Sequence, residues 1–167
     1  IDSKLSTENV TTLLATDNIL GGQLAAEQMV KFLLANNTLL QGKVAIVNSV
    51  KNVSTVMERN QGFIEKMNKL APDIEILEPR YTDNDILKAL ATAEELIATY
   101  GDELLGIFAV NDYTGVGVAE SVKKGGVQDT VMVVAFDADK RELEALRSGV
   151  IKALIVQDPF GMGYKGV

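Results

Sequence analysis

Cysteine, histidine and tryptophan are all absent from the 167 residues. Without thiol or imidazole there is no disulfide framework, no Ser-His-Asp or Cys-His nucleophile system and no zinc site built from those ligands. Aromatic residues are scarce at 5%, and basic residues are outnumbered 16 to 23 by acidic ones, for a net charge of −7. A phosphate backbone attracts clustered Lys and Arg, so this acidic chain without a basic run is expected to have no nucleic-acid partner. No apolar stretch approaches the ~20 residues of a membrane span. The start, Ile1-Asp2-Ser3-Lys4-Leu5, lacks a basic-then-apolar signal peptide and an initiator Met, as a processed or trimmed chain would. What remains for chemistry is carboxylates, Lys, Tyr or an oxygen-ligated metal.

What is present is hydrophobic substance, 47% of the residues. A chain of this length buries ~70% of the surface its unfolded form exposes, enough for one core and one domain. Short β-branched runs alternate with longer periodic segments. Strands are expected over residues 10–16, 43–49, 74–78, 104–110, 130–136 and 151–156. Val131-Met132-Val133-Val134-Ala135-Phe136 has no polar side, as in strands covered on both faces. Helical spacing marks 19–35, 55–70, 85–100, 113–124 and 140–147, with Gly-, Asn- or Pro-bearing links between. The β-α-β-α order predicts an α/β fold: one doubly wound, mostly parallel sheet of about six strands with helices on both faces.

Such sheets bind ligands beyond the carboxyl ends of their strands. The residues expected there are polar and planar: Thr16-Asp17-Asn18, Ser49 to Asn52, Arg80-Tyr81-Thr82-Asp83, Asn111-Asp112, Asp137-Ala138-Asp139 and Gln157-Asp158. Short polar side chains also cap the following helix, and capping is the expected role of Asp17, Asn18 and Asp112. Asp137 and Gln157 fit that role poorly, because a long amide is a poor cap and Asp137 follows a wholly apolar strand. Asp137-Ala138-Asp139 also matches, as a minor alternative, the two-carboxylate turn of Mg-dependent phosphatases, although Lys140-Arg141-Glu142 follows it. Gly115-Val116-Gly117 lies inside a helix rather than in a turn, so it reads as close helix–sheet packing and not as a phosphate cradle. On spacing alone Arg59 reads as a solvated charge.

Taken in order, these pieces resemble the ribose-binding-protein family, the sugar receptors of bacterial ABC importers with the type I periplasmic binding fold. The resemblance rests on Ala15-Thr16-Asp17-Asn18 with Gly21-Gly22, Arg59-Asn60-Gln61-Gly62-Phe63, Ile107 to Asp112, Val134-Ala135-Phe136-Asp137, and Ile155 to Pro159 with Gly161-Met162-Gly163-Tyr164. It covers residues 1–167 but only part of the family's length. It implies a single α/β lobe like the carboxy-terminal lobe of a two-lobe receptor, with the first lobe and the last helix absent from this chain. Carried over motif by motif, the implied ligand residues are Arg59, Asn111, Asp137, Gln157 and the hinge-proximal Asp2. Ser3 stands where the family often has arginine, Val50-Lys51-Asn52-Val53 where it often has glycines, and no clear match exists for a phenylalanine between Tyr81 and Asp85.

The resemblance further implies a monosaccharide ligand, an ABC permease in the membrane as partner, a periplasmic or extracellular, membrane-associated location, no cofactor and no enzymatic activity. Planar groups suit a sugar: Asp137 accepts from adjacent hydroxyls, Arg59 donates in parallel, and Asn111 and Gln157 do both. The alternative is the effector-binding lobe of a lactose-repressor-type regulator, which shares the fold. Self-association is also expected, through apolar surface left uncovered in a lone lobe.

Overall fold

Runs with no polar side must be covered twice, and the computed structural model, which describes residues 13–36 and 38–166, covers them so. In chain order the elements are α1 (Asn18–Ala35), β1 (Gly42–Asn48), α2 (Ser54–Leu70), β2 (Ile74–Ile76), β3 (Arg80–Tyr81), α3 (Ile86–Tyr100), β4 (Leu104–Ala109), α4 (Asp112–Gly125), β5 (Met132–Phe136), α5 (Lys140–Arg147), β6 (Ile151–Ile155) and α6 (Pro159–Lys165). All strand pairs are parallel, in the order β2-β1-β4-β5-β6, and β3 pairs with β1 beyond β2 on the same edge. The expected doubly wound α/β sheet of six strands is therefore present.

Alternation along each strand divides the core into two layers. Val44 and Ile46 of β1, Phe108 of β4 and Val134 and Phe136 of β5 pack under α1 and α2, with Ala25, Met29, Leu33, Phe63 and Met67. Ala45, Val47, Ile107, Val133 and Ala135 face the other way, against Ala89, Ala93, Leu96, Val118 and Val122 of α3 and α4 and Ala145 and Leu146 of α5. After β1 the chain moves outward to β2 and β3, then crosses back to place β4 on the other side of β1. The strand order thus reverses between β1 and β4, and that reversal opens a crevice at their carboxyl ends.

Glycines set the helix spacing. A Cβ at Gly62 would collide with the Ile19 carbonyl of α1, and one at Gly22 with the Arg59 carbonyl of α2. The two helices therefore cross with backbones touching, which brings Arg59 to the start of α1. Gly117 departs from the expected helix–sheet role: a Cβ there would lie 2.6 Å from the Ala89 Cβ and 2.6 Å from the Ile86 carbonyl, so it serves helix–helix contact between α3 and α4. Gly115 lies against the Ala135 side chain of the sheet and the Glu142 carboxyl.

Three local expectations are corrected. The strand expected over residues 10–16 does not form in its described part: residues 13–17 run without regular structure, Leu13 is exposed, and Thr16 is tied by its side chain rather than by a ladder. The expected strand at 74–78 ends at Ile76: the Leu77 N–H still bonds the Val44 carbonyl at 2.9 Å, and Pro79, which has no N–H, then separates β2 from β3. The helix α6 was not expected, since Gly161 and Gly163 dilute its pattern; its signal is the Asp158 N-cap, whose side chain accepts from the Gly161 N–H at 2.8 Å, followed by Pro159.

Candidate functional site

Arg59 sits on the second turn of α2, and the helix crossing presses it inward until it is 5% exposed. Its Nε donates to Asn18 Oδ1 at 2.9 Å and its Nη1 to the Val110 carbonyl at 2.7 Å. The guanidinium carbon lies 3.7 Å from the centre of the Phe136 ring, the last residue of β5. One side chain thus joins the start of α1 to the ends of β4 and β5. The solvated charge read from spacing alone is corrected: guanidinium, amide and carbonyl satisfy one another out of water.

Asn18 is corrected with it. The cap of α1 is Asp17, which accepts from the Leu20 N–H at 2.9 Å, while Asn18 turns inward, donates to the Thr16 carbonyl at 3.0 Å and receives Arg59. At α4 the cap is Asn111, not Asp112. Asn111 Oδ1 accepts from the Thr114 N–H at 3.2 Å, and its Nδ2 donates to Asn84 Oδ1 at 3.0 Å. Asp112 accepts from the neighbouring Tyr113 N–H at 2.9 Å, and burial raises its carboxyl pKa, aided by the charges of Asp137 and Asp139.

Beyond β5 the backbone of Asp137 turns left-handed, φ 80°, while its N–H still pairs with the Ile155 carbonyl at 2.9 Å. A non-glycine residue rarely takes that conformation, and Asp is among the few that tolerate it. The turn aims the carboxylate at Gln157, whose Nε2 donates to Asp137 Oδ1, and Gln157 Oε1 accepts from Thr16 Oγ1 at 2.7 Å. A depression of about 430 Å³ opens against Asp137, Ala138, Val156, Gln157, Pro159, Met162 and Gly163.

Asp139 caps α5, accepting from the Arg141 N–H at 2.9 Å, and that bond holds its carboxyl pKa low. Glu142 returns the bond, taking the Asp139 N–H on Oε2 at 2.9 Å. It is wholly buried, and burial pushes its pKa up to about 8. Among the described residues its other oxygen, Oε1, which lies beside Gly115, meets no hydrogen-bond partner. Among the described residues no three Asp or Glu side chains converge on a point that could hold a cation. Asp139 is committed to its helix and Asp137 to Gln157, so the metal-turn alternative gains no support.

The sequence-derived set therefore divides. Asp137 and Gln157 are brought into contact, Arg59 and Asn111 stand at the neighbouring strand ends, and Asp2 lies outside the described residues. Thr16, Asn18 and Asn84, which hold these groups, were not singled out as site residues. For Asn84 the available signal was the run Asp83-Asn84-Asp85, whose residue types favour left-handed turns and caps.

The family described as "Periplasmic binding protein domain" matches residues 1–167. The chain belongs to that family. This periplasmic binding protein domain is 30% identical over its whole length to the ribose import binding protein RbsB of Haemophilus influenzae, of which it covers 54%. A carbohydrate transporter solute binding protein of Agrobacterium radiobacter, solved in complex with D-arabinose, superposes with a TM-score of 0.93 at 30% identity, over 99% of this domain and 56% of that chain. An ABC transporter solute binding protein of Agrobacterium vitis bound with α-D-tagatopyranose superposes with a TM-score of 0.82 at 39% identity, over 92% of this domain and 49% of that chain. The domain thus spans about half the length of the relatives it matches. These relatives are an import binding protein and two transporter solute binding proteins, which gives the repressor and phosphatase alternatives no support.

Proposed function

We propose that this domain is the carboxy-terminal lobe of an extracytoplasmic sugar receptor for an ABC importer, a binder and not an enzyme. It holds one monosaccharide through Arg59, Asn111, Asp137, Gln157 and Asp2, and a first lobe closes over the sugar by hinge motion to present the loaded form to a membrane permease. The observation that carries the reading is the Asp137–Gln157 pair, set by a left-handed turn at the carboxyl edge of the sheet. A carboxylate and an amide bonded to each other can exchange that bond for two adjacent hydroxyls, one donating to Asp137 and one accepting from Gln157. Burial makes each such bond selective, because a sugar lacking the hydroxyl leaves a desolvated polar group unpaired. The sugars in the relatives' descriptions, ribose, D-arabinose and tagatose, support the ligand class.

Calorimetric titration of the intact receptor against pentoses and hexoses tests this. Saturable binding of at least one sugar, lost in Asp137→Asn, is expected; a well-folded protein that binds none at millimolar sugar ends the reading. Self-association of the lone lobe belongs to the same proposal, supported by Val156, Phe160 and Tyr164, which are 63%, 82% and 79% exposed. Sedimentation of the 167-residue chain across concentration measures it.

A further inference from the structure

Asn111 is oriented by two neighbours before any ligand arrives. Its Oδ1 turns into the first turn of α4, 3.2 Å from the Thr114 N–H and 3.0 Å from Thr114 Oγ1. Its Nδ2 donates to Asn84 Oδ1 at 3.0 Å. Asn84 lies in the loop between β3 and α3, so this bond spans the carboxyl end of β1, the strand lying between β3 and β4. That place is the reversal of strand order, where a doubly wound sheet receives its ligand.

The loop holds Asn84 firmly. Asp83 and Asn84 both have left-handed backbones, φ 56° and 58°. The buried Thr82 donates its N–H and its hydroxyl to the Asn48 carbonyl, each at 3.0 Å. The Asp83 N–H bonds the Ser49 carbonyl at 2.8 Å and the Asp85 N–H the Thr82 carbonyl at 2.9 Å. Four hydrogen bonds around two left-handed residues hold Asn84 at the edge of the crevice.

We propose that Asn84 is a positioning and specificity residue of the sugar site, which fixes Asn111 so that the group Asn111 leaves free for the ligand is an N–H donor. An amide carries two N–H donors and one carbonyl acceptor. In Asn111 the carbonyl faces Thr114 and one N–H is held by Asn84, which leaves one N–H. In Asn84 the carbonyl holds Asn111, and its NH₂ stays at the exposed surface. The corner therefore reads a ligand oxygen as an acceptor, whereas Asp137 at the next strand end reads a hydroxyl as a donor. An aromatic ring at position 84 would impose neither choice. The inference deepens the sugar-binding reading and rests on it for the ligand, but the Asn84–Asn111 contact can be tested without one.

The test is ¹⁵N-edited NMR of the 167-residue chain, wild type, Asn84→Gly and Asn84→Asp, each titrated with D-arabinose and D-tagatose. Glycine keeps the left-handed backbone and removes the amide; aspartate keeps the acceptor for Asn111 and removes the donors. The Asn111 side-chain NH₂ signals are expected to move in Asn84→Gly and to stay near their wild-type positions in Asn84→Asp, while both variants lose about tenfold in affinity for a sugar the wild type binds, the scale of one hydrogen bond. Asn111 signals unmoved in Asn84→Gly, or sugar affinity unchanged in that variant, overturn the inference. If the wild type, and the intact receptor, bind neither sugar, the sugar reading falls, and the Asn111 signals still decide whether Asn84 orients that amide.

Discussion

The ends of β4 and β5 meet two corners of one surface that are built in opposite ways. At the Arg59 corner the guanidinium bonds Asn18 and the Val110 carbonyl and lies on the Phe136 ring face, under a glycine-mediated helix crossing. At the Asp137 corner a half-buried carboxylate, Gln157 and Thr16 are bonded in series, beside an open depression. The first corner is part of the core that happens to carry charge. The second is a set of bonds that a ligand can exchange. Arg59, Asp137 and Gln157 belong to the same expected ligand set, yet substitution should cost folding as well as binding at the first corner and binding alone at the second.

The largest effect is expected from the crossing itself. Gly62→Ala drives a methyl group into the Ile19 carbonyl, a backbone atom that cannot rotate away, so α2 must shift and take Arg59 with it. Overpacking of this kind costs about 3 kcal/mol or more where nothing can yield, and urea unfolding measures it. A loss under about 1 kcal/mol would mean that the helices slide apart freely, and the Arg59 corner would no longer count as rigid.

Next comes the direct contrast. Arg59→Met keeps much of the volume but leaves Asn18 and the Val110 carbonyl without their donor, at an expected cost of about 3 kcal/mol. Asp137→Asn keeps the shape, and Asn takes a left-handed backbone as readily as Asp, so its cost should stay within about 1 kcal/mol while sugar binding is lost. Equal destabilisation by the two substitutions, read by the same urea titration, would erase the distinction between the corners.

This contrast also shows where sequence reading reaches its limit. The all-apolar strand before Asp137 and the β-α-β order carried the fold class, because burial on both faces leaves its mark in residue type. Motif order named four of the proposed ligand residues, Arg59, Asn111, Asp137 and Gln157, and the structure gathers them near the carboxyl ends of neighbouring strands. The burial of Arg59 was not legible: it depends on how closely α1 and α2 approach, and Gly22 and Gly62 act on each other's helices across 40 residues of chain. Asn18 and Asp112 were misassigned as caps for a related reason. Two polar residues adjacent at a helix start compete for the cap, and tertiary partners decide which turns inward. Short elements were the other loss, since β3 has two residues and too little pattern to show.

A smaller effect, confined to the open corner, is expected from pH. Glu142 lies behind Asp137 with a pKa near 8 instead of 4.5, raised first by burial and then by the carboxylates of Asp137, Asp112 and Asp139; Arg141, the nearest cation in this cluster, is held by Asp139. The folded protein therefore binds a proton that the unfolded chain releases above about pH 4.5, and the stability this gives is complete below that pH and lost as pH rises through about 8. On the order of 2 kcal/mol should disappear between pH 5 and pH 9, allowing for relaxation around the charged form. Glu142→Gln keeps the acceptor for the Asp139 N–H and should flatten the profile. A wild-type profile that is already flat would remove Glu142 from the account of this corner.

The smallest effect tests where the open side ends. Phe160 and Tyr164 stack on α6 with ring centres 6.4 Å apart, a pair almost entirely in solvent. Large aromatic side chains usually contribute stability in proportion to the area they hide, and these hide little. In the monomer Phe160→Ser with Tyr164→Ser should therefore change urea stability by no more than about 0.5 kcal/mol, whereas serine at Phe63, stacked on Phe108 at 4.5 Å in the core under α2, would cost several times as much. If the α6 double variant instead loses 2 kcal/mol or more, on the scale of a buried side chain, its aromatics are covered in solution. Repeating the measurement at tenfold lower protein concentration separates the two sources of cover: a cost that vanishes on dilution comes from a second copy of the chain, and one that persists comes from the chain itself.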